Sequence, residues 1–162
     1  MKKTVLISIL TLIIDIISKQ IVLNLMIEHQ SILLIKNFFS ITFVKNTGVA
    51  FSFLEGQIPL VIIITSIIII LILKYIKTNT LDKYETICYG LIIGGALGNL
   101  IDRVIYGYVI DFLDFNLLGY SFPIFNIADT AIVVGVFILF ILSIIESREH
   151  NETNRRRKNK NW

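Results

Sequence analysis

Asp111 and Asp129 are the two residues of this chain whose type and placement point most directly to chemistry. They lie in Val109-Ile-Asp111-Phe and Phe122-Pro-Ile-Phe-Asn-Ile-Ala-Asp129, beside the ends of apolar segments. A carboxylate at a membrane boundary is costly and marks a functional site by default. Two carboxylates held close together share one proton, because both cannot ionise easily. Such a pair can activate water against a carbonyl. The ionised member draws a proton from the water, the protonated member donates to the carbonyl oxygen, and later the proton returns to the leaving amine. That is peptide-bond hydrolysis of aspartic type, without a metal or a covalent intermediate. Cys88 is the only cysteine, and His29 and His150 lie outside the polar constellation. Cys–His and Ser–His schemes are weakened accordingly. Carboxylate-only metal sites favour hard cations, but no ligand-dense loop stands out, so neither a metal nor a cofactor is expected.

Further polar residues interrupt apolar sequence. Asp15 and Lys19 are four apart, on one helix face, with the acid ahead of the base. They form either a self-neutralising pair that eases insertion or an orienting pair near the site. In Gly94-Gly-Ala-Leu-Gly-Asn-Leu-Ile-Asp-Arg103, the small residues permit close helix contact. Asn99, Asp102 and Arg103 then share one face. Arg103 can hold a phosphate or carbonyl of a lipid-linked substrate, or simply snorkel at a helix end. Asn46-Thr-Gly-Val-Ala-Phe51 joins a strand to a turn. Gly48 permits positive φ there, and Asn46 can bond substrate backbone or a catalytic carboxylate, or belong to an ordinary loop. Asn126, three before Asp129, is a candidate N-cap, as is Asp129 itself.

The elements that must position these residues are membrane helices. The chain has 162 residues, 55% of them hydrophobic, concentrated in four blocks at about 4–26, 59–76, 86–105 and 128–145. Each is long enough to cross a hydrocarbon core of ~30 Å. The expected fold is an all-α membrane protein of four transmembrane helices, in one domain over 1–147. The Met1-Lys-Lys start imitates a signal peptide, but Asp15 and Lys19 break the run and no small-residue cleavage site follows. It reads as a retained first helix. With the N-terminus inside, the inner segments carry eleven Lys and Arg and the outer ones three, Lys36, Lys45 and Arg103. That asymmetry predicts N-in/C-in, with outer loops at about 27–58 and 106–127. Ser31-Ile-Leu-Leu-Ile and Phe39-Ser-Ile-Thr-Phe-Val predict a small extracytoplasmic β-sheet within the first outer loop. Residues 148–162 predict a basic, disordered cytoplasmic tail drawn to anionic lipid.

Together, Asp15-Ile-Ile-Ser-Lys19, Asn46-Thr-Gly-Val-Ala-Phe51, the Gly94–Arg103 stretch, Val109-Ile-Asp111-Phe and Phe122–Asp129 resemble bacterial lipoprotein signal peptidase, the signal peptidase II family. The resemblance extends over almost the whole chain to about residue 145. Ile110, Val49 and Ser18 depart from its usual residues, and none of these removes a functional side chain. The resemblance implies that Asp111 and Asp129 are catalytic. It also implies that Asp15, Lys19, Asn46, Asn99, Arg103 and Asn126 line or support the site; the Gly48 loop belongs with them. Asp114 falls outside the implied dyad, and Asp102 is supporting structure. The implied substrate is a diacylglyceryl-modified prolipoprotein, cut just before the lipidated cysteine. The implied setting is the outer face of the bacterial cytoplasmic membrane, with membrane lipid as the other partner. No nucleic-acid partner is expected, and nothing demands more than a monomer.

Two other classes compete. A small proton-coupled transporter or ion-conducting subunit also buries Asp and Lys in helices. It would distribute acids through both halves of the bilayer, whereas here they cluster in the outer half. A non-catalytic scaffold pairing through the Gly-rich third helix would tolerate Asp111→Asn.

Overall fold

The structure is a computed structural model that describes residues 1–48, 54–117 and 120–159; for 117, 120–121 and 149–159 it describes the backbone alone. Val49, Ala50 and Phe51 of the expected loop motif lie outside the described residues. Four helices are long and apolar enough to cross a membrane: α1 (Lys2–Leu25), α2 (Ile58–Thr78), α3 (Lys83–Tyr106) and the first part of α4 (Ile127–Asn159), up to Arg148. Four strands complete the chain: β1 (Ser31–Ile35), β2 (Phe39–Asn46), β3 (Val109–Leu117) and β4 (Tyr120–Ser121).

Local signals account for the helix ends. Pro59 lies in the first turn of α2, where its missing N–H costs nothing. α3 starts on a capping box: Asp82 accepts from the Glu85 amide at 2.7 Å, and the Glu85 side chain accepts from the Asp82 amide at 2.9 Å. It stops at Gly107, whose φ of 77° is the left-handed conformation that glycine adopts without penalty.

α3 is the central helix. It packs against α1 and α4, and less extensively against α2. The approach is close because glycines face the neighbours. A Cβ on Gly94 would meet the Ser8 carbonyl and Thr11, and one on Gly90 would meet Ile7. Gly95 faces the Ala128 carbonyl on α4, and Gly135 of α4 faces Ile92 and the Cys88 carbonyl in return. Small residues at such contacts let backbones approach where lipid supplies no hydrophobic drive between helices. The α1 face turned inward is mostly polar: Thr4, Ser8, Thr11, Asp15 and Lys19, followed by Val22. Most of the large apolar residues of α1 and α2 face outward, as lipid-exposed surfaces do.

The sheet corrects the expected architecture in one respect. It is not confined to the first outer loop. Its order is β1-β2-β3-β4, so strands from the α1–α2 and α3–α4 connections join in one sheet at the same end of the bundle. An α-plus-β description therefore fits better than an all-α one. Each neighbouring strand pair is antiparallel, with Val44 opposite Asp111 and Asn46 opposite Val109. Alternation along β3 is what positions the site. Ile110 and Phe112 point down into a cluster with Val22 and Met26 of α1 and Phe43 of β2. Val109 and Asp111 point the other way. The segment leading to α4 is stitched to β3 by three backbone bonds between Phe125 and Phe112 or Leu113, at 2.7–2.9 Å.

The fourth helix also differs from expectation. Its backbone continues to Asn159, through most of the segment expected to be disordered. No Gly or Pro follows Gly135 to stop it.

Candidate active site

Asp111 enters the site from β3 and Asp129 from the first turn of α4. Both line one open cavity of ≈ 740 Å³, together with Asn46, Gly48, Asn99 and Arg103. Its remaining wall includes Ile68, Ile92 and Ile132 of three helices and the Phe122–Phe125 segment. Asn126 joins the two acids. Its Nδ2 donates to Asp111 Oδ1 at 2.7 Å, while its backbone amide donates to Asp129 Oδ2 at 3.2 Å. The expected N-cap is therefore present: Asn126 Oδ1 accepts from the Asp129 amide at 2.8 Å. Asn126 thus reaches both carboxylates, Asp111 through its side chain and Asp129 through its backbone amide.

The other carboxylate oxygens are held too. Asn46 Nδ2 donates to Asp111 Oδ2 at 2.8 Å. Asn46 and Asp111 are diagonal neighbours across the β2–β3 pair, within reach on one face. Asn99 Nδ2 donates to Asp129 Oδ1 at 2.7 Å. Gly48 donates its amide to Asn46 Oδ1 at 2.9 Å, an Asx turn that fixes the Asn46 side chain.

Behind the dyad lies a buried charge cluster. Lys19 is only 1% exposed and Asp15 is fully buried. Lys19 Nζ sits 2.8 Å from Asp15 Oδ2, 2.9 Å from Asp102 Oδ2 and 3.0 Å from Asn99 Oδ1. Two ion pairs and one hydrogen bond thus surround the buried ammonium, which requires both counter-charge and an acceptor. Asp15 Oδ1 accepts from the Ala128 amide at 2.9 Å, placing an anion at the start of α4. Asp102 Oδ2 accepts from the Ile110 amide at 3.2 Å. The cluster therefore ties α1 and α3 to α4 and β3, the two elements that carry the acids.

Arg103 does not snorkel. It is buried, and its Nη2 donates to the Gly48 carbonyl at 2.6 Å, with Nη1 on the Asn99 carbonyl at 3.3 Å. It fastens the loop after β2 to α3. Asp114 lies away from the dyad and accepts from Thr42 Oγ1 at 2.7 Å. His29 is largely exposed, beside Glu28. Among the described residues no three His, Cys, Asp or Glu side chains group as metal ligands do. The residues not anticipated are the apolar ones of the cavity wall. An isoleucine facing a cavity and one facing lipid read alike in a membrane helix.

The electrostatics single out Asp111. Burial, and then the neighbouring Asp129 charge, push its carboxyl up from 3.8 to about 7; the Asn46 and Asn126 donors oppose the shift. A carboxyl with that value holds or releases a proton near neutral pH, as an acid–base catalyst must.

Comparison with known proteins shows the family of the chain. Residues 7–145 match the family model described as signal peptidase (SPase) II. The chain is 40% identical over 139 residues to a lipoprotein signal peptidase of Staphylococcus haemolyticus, covering 85% of this chain and 88% of that protein. It is 41% identical over 132 residues to the lipoprotein signal peptidase of Halothermothrix orenii, covering 82% and 88%. A solved bacterial membrane enzyme superposes with a TM-score of 0.85 at 36% identity, over 91% of this chain and 90% of that one.

Proposed function

The chain belongs to the signal peptidase II family, and from that premise we propose that Asp111 and Asp129 form its catalytic dyad. The protein removes signal peptides from prolipoproteins. Its substrate carries diacylglycerol on the cysteine that follows the cut, and hydrolysis is of aspartic type. The observation that carries this reading is the donor network around the dyad. A buried acid, Asp111, and a half-buried one, Asp129, come from different elements to line one cavity, bridged by Asn126 and braced by Asn46 and Asn99.

Asp111 holds the shared proton and Asp129 begins as the ionised base. Water between them loses a proton to Asp129 as its oxygen attacks the scissile carbonyl carbon. Asp111 protonates the carbonyl oxygen. The tetrahedral intermediate then collapses: the C–N bond breaks, the nitrogen takes the proton held by Asp129, and the hydroxyl proton returns to Asp111. Asn46, Asn99 and Asn126 keep the carboxylate oxygens aimed throughout.

The catalytic unit is a four-helix membrane domain over 1–147, N-in/C-in and monomeric, with its site at the extracytoplasmic face of the cytoplasmic membrane. The Lys and Arg asymmetry of eleven to three supports that orientation. The joining of strands from the α1–α2 and α3–α4 connections at one end of the bundle supports their lying on the same side of the membrane. The transporter alternative finds no support in the family or its relatives.

The direct test is a gel-shift cleavage assay with a diacylglyceryl-modified precursor beside its unlipidated twin. The lipidated form is expected to be cut and the twin left intact, with EDTA changing neither result. Equal cleavage of both precursors would sink the substrate assignment. Loss of activity on chelation, restored by a divalent ion, would sink the metal-free mechanism.

A pH prediction follows from Asp111. Its proton is present below, and lost above, about 7. The kcat profile should therefore fall on its alkaline side, by ~10-fold per pH unit once the proton is gone. A profile flat from pH 6 to 9 would contradict Asp111 as the acid.

A further inference from the structure

Lys19 does not line the cavity, yet one of its three contacts has nothing to do with neutralising charge. Asp15 and Asp102 would suffice as its counter-ions. The remaining donor goes to a neutral amide, Asn99 Oδ1, at 3.0 Å. That oxygen also accepts from Asn126 Nδ2 at 3.0 Å. With both its acceptor positions filled by donors, Asn99 has only one arrangement that leaves Nδ2 facing Asp129 Oδ1. Turning the amide over would set NH₂ against an ammonium and a second NH₂, and oxygen against a carboxylate.

The other two asparagines of the site are oriented differently. Asn46 Oδ1 is held by the Gly48 backbone amide, and Asn126 Oδ1 by the Asp129 backbone amide. Asn99 alone owes its orientation to a charged side chain. The effect reaches both acids: directly to Asp129, and to Asp111 through Asn126, whose Nδ2 is shared between Asn99 Oδ1 and Asp111 Oδ1.

We propose that Lys19 is a positioning residue for the reaction: its bond to Asn99 Oδ1 fixes the direction of the Asn99 amide and, through it, the donor set on both carboxylates. The proposal rests on the dyad reading above. It gives Lys19 a duty that a plain ion pair would not have.

The test separates the donor from the charge. Removing Lys19 alone would strand two buried acids, so all three charges are neutralised together. Asp15→Asn/Lys19→Gln/Asp102→Asn keeps an N–H at position 19, and Asp15→Asn/Lys19→Met/Asp102→Asn does not. Gln and Met are similar in size. Thermal unfolding in detergent should be alike for the two. The Met form should lose kcat by ~10²-fold, the scale of a misplaced catalytic group, with KM within about twofold. The Gln form should recover at least about tenfold of that loss.

In the Asn99→Ala background, exchanging Gln for Met should change kcat by less than about twofold, because coupled residues are non-additive. The alkaline limb of the pH profile should move in the Met form and less in the Gln form. The charged groups around position 19 are then the same in both: Arg103 on α3, Asp129 on α4 and Asp111 on β3. Equal kcat and equal pH profiles for the Gln and Met forms would overturn the proposal, as would a Gln-to-Met effect undiminished by Asn99→Ala. If neither triple variant folds, Asn99→Asp decides. It keeps an acceptor for Lys19 but no amide donor, and wild-type turnover by it would overturn the proposal. Asp111→Asn is run alongside. Full activity there would defeat the dyad reading itself, whereas an inactive Asp111→Asn with equal Gln and Met forms defeats the Lys19 proposal alone.

Discussion

Asp111→Asn and Asp129→Asn each lower kcat on a lipidated precursor by on the order of 10²–10⁴-fold, the usual contribution of a general acid or base. Substrate binding should survive, since both changes preserve volume. The reason is proton inventory. The proposed dyad uses one proton on two carboxyls, and an amide would neither take the water proton at Asp129 nor deliver one from Asp111. The fold should also survive. Asp111 accepts from Asn46 and Asn126, so an Asn there meets one of them donor to donor. That mismatch costs about 1–3 kcal/mol. It is offset in part by removal of a carboxyl whose burial is itself unfavourable, as its raised value of about 7 records. Single-turnover cleavage, with thermal unfolding measured in parallel, checks the result. Turnover within tenfold of wild type by either variant would remove the dyad from the mechanism.

The second large effect is expected from one methyl group. Gly98→Ala places a Cβ against the Asp15 carboxylate, on Oδ2 and 3.1 Å from Cγ. Asp15 has no room to yield. Oδ1 is committed to the Ala128 amide at 2.9 Å and Oδ2 to Lys19 at 2.8 Å. Either α1 moves away from α3 or the ion cluster opens. Overpacking and a weakened buried pair together should cost about 2–5 kcal/mol. Activity should fall with stability, because the cluster braces the start of α4 and the Asn99 amide. Val104→Ala, on the exposed side of the same helix, should stay within about 0.5 kcal/mol. Detergent unfolding curves for the two variants give the comparison. A Gly98→Ala protein as stable as wild type would mean that this contact does not hold the bundle together.

Much of this arrangement is visible in the chain as written. The four spans follow from apolar length, and Asp15 and Lys19 from helix spacing. Asp111 and Asp129 stand out because carboxylates are expensive where they occur. What escaped has identifiable causes. β3 reads as loop because Asp111, Asp114 and Asn116 dilute it, yet Ile110 and Phe112 alternate with Asp111 as a strand facing two environments does. The Asp82–Glu85 capping box sets the start of α3 at Lys83, ahead of the apolar run that predicts 86. The helical continuation to Asn159 is hidden by a composition that also suits a disordered tail. The partners of Arg103 are the least legible. Its main acceptor is the backbone carbonyl of Gly48, 55 residues away, and a carbonyl carries no side-chain signature. Asp102 as the third partner of Lys19 is hidden for a similar reason, since only the packing of α3 on α1 brings them together.

The pairing of β2 with β3 has a consequence for biogenesis. Asn46 and Asp111 are 65 residues apart and are supplied by different connections, α1–α2 and α3–α4. Asp129 arrives only with the last span. A nascent polypeptide that has formed only its first three helices therefore holds Asn46 and Asn99 of the three amides and neither acid. With Asp111 and Asp129 acting as proposed, the site is complete only once β3 and α4 have joined the first three helices.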